Sequence, residues 1–214
     1  MTNVIRVVLA DDHAMVREAL AQFLDENESI EVVGQVADGY QLLDIVVATM
    51  PDVVVLDYNM PQSSALATIE GLMHRFPKIK IVVLTVHESI HYATKVLESG
   101  AHGFVVKSAA VNELVDAIRA VSEGDVYVSP RVSRPILQHL RQPRKERSGL
   151  EALSPREFEI LRLLSGGMSL KECARQLNIS ASSAQTYRAR LVEKLKLNST
   201  PELIRFALEN DIVG

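Results

Sequence analysis

Length, composition and charge restrict the class of this protein before any motif is considered. The chain has 214 residues, enough for one large domain or two modest ones, and 47% of them are hydrophobic. No apolar run approaches the ~18 residues of a membrane span, and the single cysteine, Cys173, excludes an internal disulfide. These features favour a cytoplasmic protein without a membrane partner.

Charge is distributed unevenly along the chain. Residues 1–130 contain 8 lysines and arginines against 18 aspartates and glutamates, whereas residues 131–214 contain 15 against 9. The formal charge is therefore −10 in the front part and +6 in the back part. An acidic front followed by a basic back predicts two domains, the second of which faces a polyanion.

Five short β-rich runs alternate with helical patterns in the front part. The first helical pattern places apolar residues between Met15 and Leu24 at i, i+3 and i+4 spacing, which is typical of an amphipathic helix. A later pattern ends at Gly100, a candidate C-cap. The alternation predicts an α/β domain, a five-stranded parallel sheet with helices on both faces. The strands are predicted at 5–10, 31–37, 53–57, 81–85 and 103–107.

The back part of the chain has a different character. Residues 129–153 contain three prolines and many bases, which predicts a linker with room for a short helix. Beyond it, capping boxes at Ser154–Glu157 and Ser169–Glu172 begin two helices, and two more are predicted from Ser180 and Thr200. The predicted organisation is a domain over 1–125, a linker over 126–149 and an all-α domain over 150–214.

Polar residues follow or end four of the five predicted strands. Asp11 and Asp12 follow the first strand, Asp57 ends the third, Thr85 the fourth and Lys107 the fifth. The carboxyl ends of parallel strands converge on one crevice, so these side chains are expected to lie together. Three carboxylates in one crevice suit a hard divalent cation such as Mg²⁺. A carboxylate beside a metal and an ammonium group can act as a nucleophile that forms an aspartyl phosphate.

Each of these residues also has a simpler structural explanation. Asp12 could cap the first helix, and Asp57 could begin a turn. Threonine is common in strands, and Lys107 could be an ordinary surface residue. Only the presence of all these residues together at the carboxyl ends of their strands favours a site that carries chemistry.

Four segments of the front part resemble the bacterial response-regulator receiver domain: "LADDH", "VVVLDYNMP", "VVLTVHE" and "GAHGFVVK". The resemblance implies the flavodoxin-like form of the α/β fold, with Asp57 as the phosphoacceptor. It further implies that Mg²⁺ is bound by Asp11, Asp12, Asp57 and the backbone carbonyl of Asn59.

The same resemblance makes Thr85 and Phe104 a switch pair and gives both Lys107 and Thr85 a role in the phosphorylation chemistry. In a receiver, phosphorylation is read out as a rearrangement of the switch pair and a shift of the neighbouring surface. The chain departs from the family in the loop after "NMP", where Gln62 and Ala65 stand in place of the usual glycines. This loop is therefore expected to differ from that of a typical receiver.

Two classes of enzyme share parts of these patterns. Residues 87–91 match the H-E-x-x-H motif of zinc proteases, but His87 lies just after a predicted strand and Ser89 is a candidate helix cap. Haloacid-dehalogenase-type phosphatases also use an aspartate nucleophile, but they place a second aspartate two residues later, where this chain has Asn59. Both classes are therefore disfavoured, and no enzymatic turnover of an external substrate is expected.

Residues 169–195 have the pattern of a helix, a turn and a second helix. With about 100° between successive residues, Ala184, Leu191 and Leu195 fall on one apolar face of the second helix, and a polar face lies opposite. That polar face suits the major groove of DNA, and basic residues near it suit the phosphates. The predicted DNA-binding residues are Lys171, Gln185, Thr186, Ala189, Arg190 and Lys194.

The back part resembles the LuxR-type helix-turn-helix domain, through "LSPREFEILRLLSGGMSLKECARQLNIS" followed by "TYRARLVEKL". Coupled to a receiver, this domain is typical of the NarL/FixJ class of response regulators. The resemblance implies a transcription regulator that is phosphorylated by a sensor histidine kinase and binds promoter DNA as a homodimer, paired through residues 201–209. The alternative is a receiver that takes no phosphate and acts as a binding or ligand-responsive module.

Overall fold

The computed structural model describes residues 4–60, 64–108, 111–133, 136 and 148–212. The chain forms two compact units, Met1–Arg134 and Pro135–Gly214. Strands alternate with helices in the first unit, and the second unit is helical, which confirms the predicted fold class. Within the described ranges, no helix is both long and apolar enough to cross a membrane.

A parallel sheet of six strands forms the centre of the first unit. The strands are β1 (Ile5–Ala10), β2 (Ile30–Val36), β3 (Val53–Asp57), β4 (Lys80–Thr85), β5 (Gly103–Val106) and β6 (Tyr127–Val128). Their order is β2-β1-β3-β4-β5-β6, and every neighbouring pair is parallel. All residues of β3 are buried, as expected for a central strand that is covered on both faces.

Helices cover both faces of the sheet. One face packs against the two helices that contain Leu24 and Ile118, and these residues share a core with Val55 of β3. The alternate residues of β3, Val54 and Leu56, are also buried, because the remaining helices cover the opposite face. The helices are α1 (Ala14–Asp25), α2 (Gly39–Thr49), α3 (Ala65–Arg75), α4 (Ile90–Glu98) and α5 (Val111–Glu123).

The ends of these elements agree closely with the sequence pattern. Each of the five predicted strands begins and ends within one residue of its predicted bounds. Helix α4 ends as predicted before Gly100, whose φ of +104° is one that an L side chain rarely adopts. The Gly100 N–H donates to the carbonyl of Leu97 at 3.0 Å, which satisfies the end of the helix.

The sixth strand, β6, is not predicted by the sequence, and it lies in the stretch 126–149 for which the sequence predicts a linker. Tyr127 and Val128 pair with Gly103 and Phe104 of β5. The hydroxyl of Ser129 then accepts a hydrogen bond from Val106 N–H at 3.1 Å. A strand of two residues has no recognisable periodicity, so only its pairing partner defines it. The first unit therefore extends beyond residue 125.

The second unit contains four helices over residues 155–209. Both predicted capping boxes are present: Ser154 and Glu157 exchange side-chain and backbone hydrogen bonds, and so do Ser169 and Glu172. These caps satisfy backbone N–H groups that have no partner within the first turn of a helix. A 3₁₀ turn (Gly149–Ala152) is followed by α6 (Pro155–Ser165), α7 (Leu170–Gln176), α8 (Ala181–Leu195) and α9 (Thr200–Glu209).

Cys173 belongs to the core of this second unit. It lies in α7 and is fully buried. Burial raises the pKa of its thiol to about 11, so the thiol is protonated at neutral pH. Because thiolate is the reactive form, Cys173 is a small core residue rather than a nucleophile.

Candidate functional site

Two buried carboxylates and a lysine meet at the carboxyl edge of the sheet. Asp11 follows β1, Asp57 ends β3, and each residue is only 2% exposed. Lys107 follows β5 and places its Nζ 2.8 Å from Asp11 Oδ2 and 2.9 Å from Asp57 Oδ2. The structure therefore brings together three residues whose positions at strand ends predict that they are neighbours.

Asp12 and His13 lie beside these two carboxylates and complete an acidic cluster. Ligand atoms of Asp11, Asp12, His13 and Asp57 all lie within 4.8 Å of one another. Asp12 does not cap α1, because the N-cap position is His13, which makes no side-chain cap hydrogen bond. Instead, His13 Nδ1 is 2.8 Å from Asp12 Oδ1. No role for His13 is predicted from the sequence, although its place directly after the two aspartates is a usable signal.

The donor set of this cluster fits a hard divalent cation. Mg²⁺ prefers a few carboxylate oxygens, with water and phosphate oxygens in its other positions. Asp57 Oδ1 accepts a hydrogen bond from Asn59 N–H at 3.3 Å, so the chain turns back beside the cluster after β3. Asp57 therefore does begin a turn, which is its simpler structural explanation. The turn uses only Oδ1, however, and Oδ2 faces Lys107.

Burial and the ion pair between Asp57 and Lys107 shift the pKa value of each group in opposite directions. Burial raises the pKa of Asp57 above its ordinary value of 3.8; the neighbouring Lys107 ammonium opposes this shift, and Asp11 adds to it. Burial lowers the pKa of Lys107, but its hydrogen bonds to Asp11 and Asp57 outweigh burial, so the net pKa is raised. Lys107 is therefore cationic at neutral pH, and ionised Asp57 is costly to the folded state.

The raised pKa of Asp57 gives a testable consequence for stability. Below pH 3.8 the carboxyl is protonated in both folded and unfolded chains and costs nothing; the cost grows as pH rises through the folded-state pKa. We therefore expect Asp57→Asn to unfold at a higher temperature than the unchanged chain at pH 7.5, by about 2–4 °C for each kcal/mol gained. Thermal unfolding of both proteins, with a chelator present to remove bound cations, measures this difference in unfolding temperature. Equal midpoints at pH 7.5, or a gap that widens towards pH 4, would contradict it.

The two residues of the predicted switch pair lie on neighbouring strands. Thr85 ends β4 and is fully buried, and its hydroxyl oxygen accepts a hydrogen bond from His87 N–H at 3.1 Å. Phe104 is fully buried in β5, where the register pairs it with Val83. Thr85 thus stands at the same edge of the sheet as Asp57, one strand away.

The zinc-protease motif does not form a metal site. His87 lies before α4, and Ser89 caps that helix by accepting a hydrogen bond from His91 N–H at 3.3 Å. The His87 ring stacks on Tyr92 with centroids 4.0 Å apart. Among the residues that the structure describes, neither His87 nor His91 belongs to a group that could share a metal.

Helix α8 presents the outward face that the sequence predicts. Ala184 and Leu191 are fully buried against the rest of the unit. The hydroxyl of Ser180 caps the helix by accepting a hydrogen bond from Ser183 N–H at 3.0 Å. The exposed residues include all six predicted DNA-binding positions, Lys171 in α7 and Gln185, Thr186, Ala189, Arg190 and Lys194 in α8.

Comparison with known families decides the class of the chain. Residues 7–119 match the response regulator receiver domain, and residues 151–207 match the luxR family of bacterial regulatory proteins. The chain belongs to the NarL/FixJ class of response regulators. It is therefore a phosphorylation-controlled transcription regulator, and proteins of this class are transcription factors rather than enzymes.

Relatives of this response regulator match it over nearly its whole length. Oxygen regulatory protein NreC of Staphylococcus carnosus is 32% identical and aligns with 97% of this chain and 99% of its own. Response regulator GacA of Pseudomonas aeruginosa is 34% identical over 98% of both chains. Among solved structures, RcsB of Salmonella enterica serovar Typhimurium, bound to promoter P1flhDC with the phosphomimetic BeF3⁻, has a TM-score of 0.75. It is 26% identical and aligns with 95% of this chain and 98% of its own.

The glycine-poor loop of this response regulator is described only in part. Gln62 lies outside the described residues. Ala65 is the first residue of α3, and Ser64 before it caps that helix by accepting a hydrogen bond from Ala67 N–H at 3.1 Å. The residue that replaces the second glycine therefore begins a helix.

Proposed function

We propose that Asp57 accepts a phosphoryl group from the phosphohistidine of a sensor histidine kinase. The observation that carries this proposal is the buried Asp57 carboxylate, held 2.9 Å from the Lys107 ammonium. A carboxylate oxygen of Asp57 attacks phosphorus, the bond from phosphorus to the histidine nitrogen breaks, and an acyl phosphate forms. Lys107 supplies a fixed positive charge beside the oxygens that carry the developing negative charge.

A Mg²⁺ ion in the acidic cluster would neutralise the phosphoryl oxygens during this transfer. Its ligands would be Asp11, Asp12, Asp57 and the backbone carbonyl of Asn59. The clustering of the carboxylate oxygens within 4.8 Å of one another supports this assignment. The chain itself holds Asp11 and Asp57 in place through Lys107, so the site is organised before a cation binds.

Thr85 and Phe104 are the proposed switch. A phosphoryl group on Asp57 offers the Thr85 hydroxyl a charged acceptor, which forms a stronger hydrogen bond than a neutral one. Movement of Thr85 towards that group disturbs its hydrogen bond from His87 N–H and thereby the segment leading into α4. Phe104, on the adjacent strand, then repacks into the space that the movement of Thr85 opens.

The phosphoacceptor assignment is tested by direct labelling. The full-length chain is incubated with Mg²⁺ and a small phosphodonor such as acetyl phosphate, and the modified residue is located by mass spectrometry. We expect one added phosphoryl group, on the peptide that contains Asp57. Label on another residue contradicts the assignment, and no label from donor or kinase, with DNA binding intact, favours the phosphate-independent alternative.

The proposed metal site predicts a stabilisation by Mg²⁺. A cation that binds only the folded chain stabilises it by about 2.7 kcal/mol at 100 times its dissociation constant. We expect Mg²⁺ to raise the unfolding temperature of the receiver, and Asp12→Asn to lose most of that increase. Asp44→Asn, which changes an exposed aspartate in α2, is the matched control and should keep it. Equal responses in both variants would remove Asp12 from the site.

The second unit is proposed to bind promoter DNA as a homodimer in the cytoplasm. Its DNA-facing surface is the exposed side of α8, where Gln185, Thr186 and Ala189 would meet base edges and Arg190 a phosphate. Lys171 is placed to contact a second phosphate. The structural similarity to promoter-bound RcsB supports promoter DNA as the partner. Leu208, which is 53% exposed on α9, is an apolar residue available for pairing two subunits.

A further inference from the structure

Lys194 makes contacts that differ from those of a phosphate-binding residue. It lies near the carboxyl end of α8, and its Nζ is 2.7 Å from Glu157 Oε2 and 3.0 Å from the backbone carbonyl oxygen of Ala152. Both partners belong to the same compact unit. The ammonium therefore points from α8 to the beginning of α6 and to the 3₁₀ turn before it.

The partner carboxylate is buried and has a second structural task. The side chain of Glu157 is only 3% exposed, whereas that of Lys194 is 38% exposed. The same oxygen, Oε2, also accepts the Ser154 N–H at 2.7 Å in the capping box of α6. A buried carboxylate that lost its cation would be left uncompensated, which is costly in a folded protein. The contact therefore joins the cap of α6 to the far end of α8.

From this geometry we infer that Lys194 is a positioning residue, which sets the angle of α8 for DNA binding instead of contacting a phosphate. The inference rests on the proposed DNA-binding role of α8. Because α8 must place several side chains at once against the groove, a small rotation of the helix weakens every base contact together. Arg190, which is exposed on the outward face, remains the phosphate contact on this helix.

Salt dependence distinguishes the two roles. Loss of one phosphate contact reduces the slope of log affinity against log salt by about 0.9 per subunit. The full-length chain is titrated at several salt concentrations with a duplex that it has selected from a random-sequence pool. We expect Arg190→Met to reduce the slope by this amount. Lys194→Met is expected to weaken binding by about 5-fold or more with little change in slope.

If Lys194→Met does not fold, a substitution of its partner Glu157 still tests the inference. Glu157→Gln retains a side chain suited to the capping box and removes the buried charge. We expect this variant to bind DNA more weakly, although its net charge is more positive. The double variant is expected to be no weaker than Lys194→Met alone, because the two residues act as one unit.

Several results would overturn the inference. A slope reduction of about 0.9 for Lys194→Met would make Lys194 a phosphate contact. Equal or tighter DNA binding by Glu157→Gln would show that the ion pair does not set the position of α8. If Lys194→Met and Glu157→Gln both fold and bind DNA with unchanged affinity, but unfold at a lower temperature, the ion pair contributes only to stability. Failure of the proposed function is distinguishable, since the unchanged chain would then select no duplex.

Discussion

Replacing Asp57 by asparagine is expected to abolish the response of DNA binding to a phosphodonor. Asparagine keeps the shape of the side chain but presents no carboxylate to attack phosphorus, so no acyl phosphate forms. The unchanged chain, given acetyl phosphate and Mg²⁺, is expected to bind its selected duplex roughly 5- to 150-fold more tightly, the usual range of coupling between two sites. Fluorescence anisotropy, with and without the phosphodonor, measures both dissociation constants.

The matched control for this experiment lies just before the other end of the same strand. Asp52 precedes β3 and is exposed, and its Oδ2 accepts a hydrogen bond from Arg6 N–H at 2.8 Å. Asp52→Asn therefore makes the same chemical change outside the acidic cluster, and it should keep the full response. An Asp57→Asn variant that still responds to the phosphodonor would show that another residue carries the signal.

The sheet and its acidic edge could be predicted because both depend on local patterns. Continuous aliphatic runs mark strands buried on both faces, and parallel strands leave their carboxyl ends at one edge. Asp11, Asp57 and Lys107 are therefore placed together by topology alone, before any distance is known. The capping boxes at Ser154 and Ser169 are equally local, since all their partners lie within four residues.

The features that sequence could not supply all depend on partners distant in the chain. Strand β6 has two residues, and only its pairing with β5 defines it. Helical periodicity places Lys194 near the polar face of α8, but periodicity does not show that Glu157, 37 positions earlier, takes its ammonium group. Such a contact depends on how α6 and α8 cross, which the pattern within either helix does not encode.

A carboxylate placed in the middle of the DNA-facing surface is expected to abolish binding. Ala189 is exposed on α8 between Thr186 and Arg190, on the side away from the buried Ala184. In Ala189→Glu, a charged side chain is directed towards the groove, where the phosphates repel it and its desolvation is not compensated. We expect a loss of affinity of about 100-fold or more, measured by anisotropy with the selected duplex, while phosphorylation of Asp57 is retained.

The control for Ala189→Glu distinguishes the effect of placing a carboxylate on α8 from the effect of a change in net charge. Asn112→Glu adds the same charge at an exposed position of α5, in the other unit of the chain. This variant leaves every residue of the second unit unchanged while altering net charge by the same amount, so it should bind DNA nearly as tightly as the unchanged chain. If both variants lost affinity equally, net charge would account for the effect. If Ala189→Glu bound normally while folded, α8 would not be the helix that enters the groove, and the DNA-binding surface would have to lie elsewhere on the second unit.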